Sequence, residues 1–138
     1  MNVDELLAEA RSGLERVTPA QSSAALDAGA ILIDIRPSEQ RNRDGEIPGA
    51  HVIARNVLEW RLDPVGEYRD PAVAHADRQM IVFCNAGYAS SLAAATLRQL
   101  GLDATDMIGG FQAWREEGLP VREVEAAQGA GAEGPSRG

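Results

Sequence analysis

Two short apolar runs constrain this chain most: Ile31-Leu32-Ile33-Asp34-Ile35 and Met80-Ile81-Val82-Phe83. Neither alternates apolar with polar residues, so neither reads as a strand with one wet face. Both are too short for a buried helix and of ordinary length for a strand. The first is β-branched at three positions and bounded by Gly29 and Pro37, as expected of a strand buried on both faces of a parallel sheet. Such a strand needs a layer of other elements on each side. The rest of the chain has to supply those layers.

The flanking segments read as helices. Val3, Leu6, Leu7, Ala10, Leu14 and Val17 recur at helical spacing, with Asp4 and Glu5 early and Arg11 and Arg16 late, an arrangement that suits the helix dipole. The spacing predicts an amphipathic helix over 1–17. Thr18-Pro19-Ala20-Gln21 is a capping box with proline at the first helical position, opening a second helix that stops at Gly29. A charged loop over 36–49 and a short strand near 50–54 follow. Residues 55–79 show no clear period beyond one helical turn at 57–60. A helix is expected over 90–100, capped by Ser90 or Ser91, with Leu92, Ala93, Leu97 and Leu100 on its apolar face. A weaker strand over 104–108 and a last helix over 111–117 complete the pattern. Strands alternating with helices predict an α/β fold, with a mainly parallel central sheet and helices on both faces. We expect a single domain over 1–125, made of the 1–17 helix and an 18–124 core. Residues 126–138, rich in Ala and Gly with no large apolar side chain, read as a disordered tail.

Charge and cysteine content narrow the function classes. The chain carries 13 basic and 21 acidic residues, a net charge of −8, and only 4% aromatic residues. That balance disfavours nucleic acid and anionic membrane as partners and suits a monomer or small homo-oligomer. The acidic N-terminus lacks the basic-then-apolar pattern of a signal peptide, and no apolar run approaches bilayer length, so a cytoplasmic location is expected. A single cysteine forms no intramolecular disulfide, no cysteine-rich zinc site and no C-x-x-C pair. Neither a metal nor an organic cofactor is expected.

That cysteine, Cys84, stands immediately after the second buried run and before Asn85-Ala86-Gly87-Tyr88-Ala89, which leads into a helix. A lone cysteine often serves as a small buried hydrophobe. In open parallel sheets, however, ligands bind beyond the carboxyl ends of the strands. Free N–H groups and the dipole at a helix start favour an anion, and a thiolate is one. Gly87 permits the tight curl that aims several N–H groups at one point. The junction favours a reactive thiol. Other nucleophile patterns fail: there is no G-x-S-x-G elbow, no G-x-x-x-x-G-K-[ST] loop, and the residue six after Cys84 is Ser90 rather than an arginine. His51 and His75 are the only histidines, and neither has an orienting partner in its surroundings.

Four segments together carry a family resemblance. Asp34-Ile35-Arg36-Pro37, then Gly45-Glu46-Ile47-Pro48-Gly49-Ala50-His51, then Cys84 through Ser91, then Gly109-Gly110-Phe111-Gln112-Ala113-Trp114 resemble, in order and spacing, a single-domain rhodanese over about 17–121. The resemblance implies a rhodanese-like three-layer fold and sulfur transfer through a persulfide on Cys84. It implies that the backbone N–H groups of Asn85, Ala86, Gly87, Tyr88, Ala89 and Ser90 cradle that persulfide, while Asp34 and Arg36 brace the region. The expected donor is a small sulfur anion such as thiosulfate, or a persulfide, and the acceptor a thiol or protein. Many rhodaneses carry a basic residue five positions after the cysteine, where this chain has Ala89. Arg55 and Arg61 are candidates to bring charge to the pocket rim, and Tyr88 is a candidate gate or acceptor contact. The alternative is a rhodanese-like binding or regulatory module that turns over poorly.

Overall fold

The computed structural model describes residues 1–124. Four parallel strands form one sheet: β1 (Ile31–Asp34), β2 (His51–Val52), β3 (Met80–Phe83) and β4 (Ala104–Asp106), in the order β2-β1-β3-β4. The helices are α1 (Val3–Ser12), α2 (Pro19–Asp27), α3 (Ser38–Asp44), α4 (Leu58–Leu62), α5 (Ala89–Gln99) and α6 (Gly110–Glu116), with a 3-10 turn at Arg55–Val57 before α4.

The two-residue period of a strand splits the apolar runs between two cores. Ile31, Ile33, Ile35, Met80, Val82 and Cys84 face one side, where Leu58 and Leu62 of α4 and Ala93, Ala94 and Leu97 of α5 cover them. Leu32, Ile81 and Phe83 face the other, against Leu26 of α2 and Phe111 and Trp114 of α6. β1 and β3 are buried at every position, which is why their sequences show no alternation. Each fully buried Ile, Leu or Phe side chain contributes about 1.5–3 kcal/mol relative to exposure.

The structure corrects several sequence expectations. α1 stops at Ser12 because Gly13 follows, so Leu14 and Val17 lie off the helix. Leu14 packs on the core, and Val17 makes a parallel bridge to Met107 that prolongs the sheet beyond β4. α1 itself buries no residue fully, and Val3 and Leu6 face solvent. The charged segment 36–49 contains α3, which an apolar period does not reveal because the helix has no apolar residue. The expected strand near 50–54 is only His51–Val52, a short exposed edge strand. α2 keeps its capping box, Thr18 accepting from the Gln21 N–H and Gln21 from the Thr18 N–H. Of the two tryptophans, Trp114 is buried and Trp60 exposed. The reading of 126–138 as a tail lies outside the described residues.

Candidate active site

The paired register brings the ends of β1 and β3 together, Asp34 opposite Phe83, and sets Asp106 of β4 beside Val82. Cys84 follows Phe83, so strand parity turns its side chain toward α5. The loop 85–88 then curls back, and Cys84 Sγ accepts hydrogen bonds from the N–H groups of Gly87 (3.2 Å) and Ser90 (3.4 Å). The residue is 8% exposed. The N–H groups of Asn85, Ala86, Tyr88 and Ala89 have no acceptor among the described residues.

Glycines and α6 fix this curl. Gly87 has φ +91°, and a Cβ there would sit 2.7 Å from the Gly109 nitrogen. A Cβ on Gly110 would meet the Cys84 carbonyl oxygen at 2.5 Å. The loop therefore lies directly on the Gly109-Gly110 turn. The first N–H groups of α6 then tie it down, Phe111 donating to the Cys84 carbonyl (2.9 Å) and Gln112 to the Asn85 carbonyl (3.1 Å). The Gln112 side chain also donates to Asn85 Oδ1 at 2.9 Å, so the Asn85 side chain is committed to α6.

Two buried acid–guanidinium pairs stand on either side. Asp34 accepts from Arg36 Nε (3.0 Å) and Nη2 (2.8 Å), and Arg36 Nη2 also donates to the Gly45 carbonyl (2.8 Å). The Arg36 guanidinium lies 3.9 Å from the Phe111 ring centroid, while its Nη1 has no partner among the described residues. Asp34 and Arg36 thus join the end of β1 to the turn at Gly45 and to α6. On the α5 side, Asp106 accepts from Arg16 Nε (2.9 Å) and Nη2 (3.1 Å), and from the hydroxyls of Ser90 and Ser91 (both 2.8 Å). The Ser90 oxygen in turn accepts from the Cys84 thiol at 3.4 Å. Ser90 and Ser91 are therefore not the caps of α5; Tyr88 occupies the N-cap without a side-chain bond. The fully buried carboxylate of Asp106 draws both hydroxyls inward.

Sequence reasoning missed Arg11, Arg16 and Asp106. Arg11 donates to Ser91 Oγ (3.0 Å) and to the Gly87 carbonyl (2.7 Å), and Arg16 Nη2 reaches that same carbonyl at 3.0 Å. The signal available was Asp106, a charge between the apolar stretches around Ala104 and Met107.

Ile35, Arg36, Arg55, Cys84, Ala86, Tyr88 and Ala89 are among the walls of a cleft of about 290 Å³. Arg55 reaches it while paired with both oxygens of Glu59 (2.9 and 3.0 Å). Arg61 is not part of the wall and pairs with Asp70. Tyr88 is exposed at the rim, and the walls include neither His51 nor His75. Below the loop, a hydrogen bond from Arg43 holds the Asp44 carboxyl down to about 2, and Gln112 adds to that effect. Among the described residues no cluster of three His, Cys, Asp or Glu side chains is placed to hold a metal, and no helix is long and apolar enough to cross a membrane.

A parallel α/β domain whose strand end presents one thiol to a curled backbone loop is the class that these features define. The chain belongs to the rhodanese-like family: the model described as "Rhodanese-like domain" matches residues 18–117. A thiosulfate sulfurtransferase GlpE from Stutzerimonas stutzeri is 33% identical over 103 residues, covering 73% of this chain and 84% of the relative. Among solved structures, a Rhodopseudomonas palustris protein of unknown function, described as a possible tyrosine phosphatase, superposes with a TM-score of 0.81 at 34% identity, covering 88% of this chain and 95% of that one. A rhodanese-related protein from Thermoplasma volcanium superposes with a TM-score of 0.64 at 27% identity, covering 78% and 96%.

Proposed function

We propose that the protein is a sulfurtransferase that carries a sulfane sulfur as a persulfide on Cys84. The observation that carries this reading is the geometry at Sγ: a thiol at the strand end accepts backbone N–H bonds from Gly87 in its own loop and Ser90 in the first turn of α5, and borders an open cleft. The Cys84 thiolate attacks the outer sulfur of thiosulfate. A bond forms between Sγ and that sulfur, the donor's sulfur–sulfur bond breaks, and the electron pair leaves with sulfite. An acceptor thiolate or cyanide then attacks the outer sulfur, and the electron pair of the broken bond returns to Sγ. The unpartnered N–H groups of Asn85, Ala86, Tyr88 and Ala89 are the donors available to the bound sulfur, acting as an oxyanion hole does. Arg55 at the wall is placed to meet an anionic donor, and an acceptor thiol or protein approaches past Tyr88. The kinship with thiosulfate sulfurtransferases supports the donor class.

A phosphatase reading, suggested by the description of the Rhodopseudomonas neighbour, lacks its clamp. The residue six after Cys84 is Ser90, whose hydroxyl points to Asp106, and a phosphate dianion is best held by a bidentate guanidinium. Ala89 and the Glu59-paired Arg55 favour a second reading, a binding module with weak turnover. Thiosulfate-to-cyanide transfer separates the two. Wild type is expected to turn over, and Cys84→Ser to lose all transfer while keeping its melting temperature. Equal activity in both proteins would overturn the persulfide mechanism.

A further inference from the structure

Arg11 and Arg16 precede the residues that match the family, 18–117, yet both end on the Cys84 loop. Their guanidiniums converge on one acceptor, the Gly87 carbonyl, at 2.7 and 3.0 Å. Arg11 also holds Ser91 Oγ at 3.0 Å and stands 5.6 Å from the Tyr88 ring centroid. Arg16 is itself anchored by the buried Asp106. Two cations on a single loop carbonyl, delivered by a segment outside the family match, require an account.

The Gly87–Tyr88 peptide supplies it. The peptide is trans, so its N–H points opposite to its C=O. With the carbonyl held by α1 and the segment after it, the Tyr88 N–H is directed away from the arginines, and it has no acceptor among the described residues. Gly87 has φ +91°, and a glycine on its own leaves such a peptide free to rotate. Charged donors on the carbonyl oppose that rotation and polarise the peptide, strengthening its N–H as a donor. They also place positive charge behind a loop that carries no basic side chain between Asn85 and Ser91.

We infer that Arg11 and Arg16 are positioning residues for sulfur transfer: an N-terminal clamp that locks the Gly87–Tyr88 peptide with its N–H toward the sulfur on Cys84, and supplies from behind the cation that the loop lacks. The inference rests on the persulfide reading of Cys84. Among the described residues the Arg11 side chain hydrogen-bonds only to the loop and to Ser91 on α5, so its removal leaves the buried Asp106–Arg16 pair intact.

The test compares wild type, Arg11→Met and Arg11→Lys, well below their melting temperatures, in thiosulfate-to-cyanide transfer and in alkylation of Cys84 at neutral pH. Loss of a charged hydrogen bond that strengthens as charge develops predicts a fall in kcat of about tenfold in Arg11→Met with KM nearly unchanged. Its alkylation rate is expected to fall in parallel, and Arg11→Lys to recover most of both. A lowered melting temperature with wild-type kcat and alkylation rate would reduce Arg11 to a structural strut and overturn the clamp. The double variant Arg16→Met/Asp106→Asn, which removes a cation and an anion together, is expected to lower kcat in the same way, and wild-type kcat there would also contradict the inference. If wild type itself transfers no sulfur, the persulfide reading fails, while the alkylation comparison still decides whether the clamp acts on Cys84.

Discussion

The two buried carboxylate–guanidinium pairs, Asp34–Arg36 and Asp106–Arg16, sit on opposite faces of the same sheet and differ in what they hold. The first joins residues two apart and secures a turn and an aromatic ring. Both of its side chains are essentially excluded from water. The second joins residues 90 apart and fastens the Cys84 loop through Ser90, Ser91 and Gly87. Its arginine keeps 17% of its side-chain surface in solvent. The contrast separates a pair that holds the fold from a pair that holds the site. A charge sealed in the core has no route to water when its partner is lost, whereas a charge near the edge does.

That difference can be broken at either end. Asp34→Ala leaves the Arg36 guanidinium buried with one carbonyl and an aromatic face, so it is expected to lower stability by about 3–5 kcal/mol, measured by urea unfolding. Asp106→Ala lets Arg16 turn toward solvent and leaves two serine hydroxyls without an acceptor, so the loss is expected to be about 1–3 kcal/mol. Its effect on function should run the other way, with the folded protein losing more of its sulfur transfer than folded Asp34→Ala does. Equal stability losses in the two variants would erase the distinction.

Asp44 sharpens the comparison as a third acid, one formed with neighbours at the surface. Its folded value of about 2 lies below the ordinary 3.8, chiefly because Arg43 hydrogen-bonds to it. A carboxylate shifted down stabilises the fold above its ordinary value, and that contribution is lost as pH falls through the folded value. Asp44→Asn should therefore be less stable than wild type near neutral pH, show a shallower loss of stability between 3.8 and about 2, and converge on wild type in stronger acid. A variant that matches wild type near neutral pH and departs from it only in acid would contradict the assigned sign.

How far the sequence reaches follows the same division between local and distant. β1 and β3 were legible because a strand buried on both faces leaves an unbroken apolar run, and the capping box of α2 because its two partners lie three residues apart. Cys84 and its loop were legible for the same reason: strand end, Gly87 and helix start are contiguous. α3 was hidden because it has no apolar residue to show a period. The roles of Ser90 and Ser91 were misread because the acid that claims them, Asp106, is 16 and 15 residues downstream. Arg11 looked like a charge placed for the helix dipole. Only the packing of α1 against α5 shows that it serves the loop.

The proposal that Cys84 Sγ accepts and holds sulfur is tested most directly by intact-mass measurement after incubation with thiosulfate. The account predicts a gain of one sulfur atom on wild type, removed by cyanide and absent in Cys84→Ser. A folded wild-type protein whose mass stays unchanged with thiosulfate, and whose single thiol resists alkylation, would contradict it.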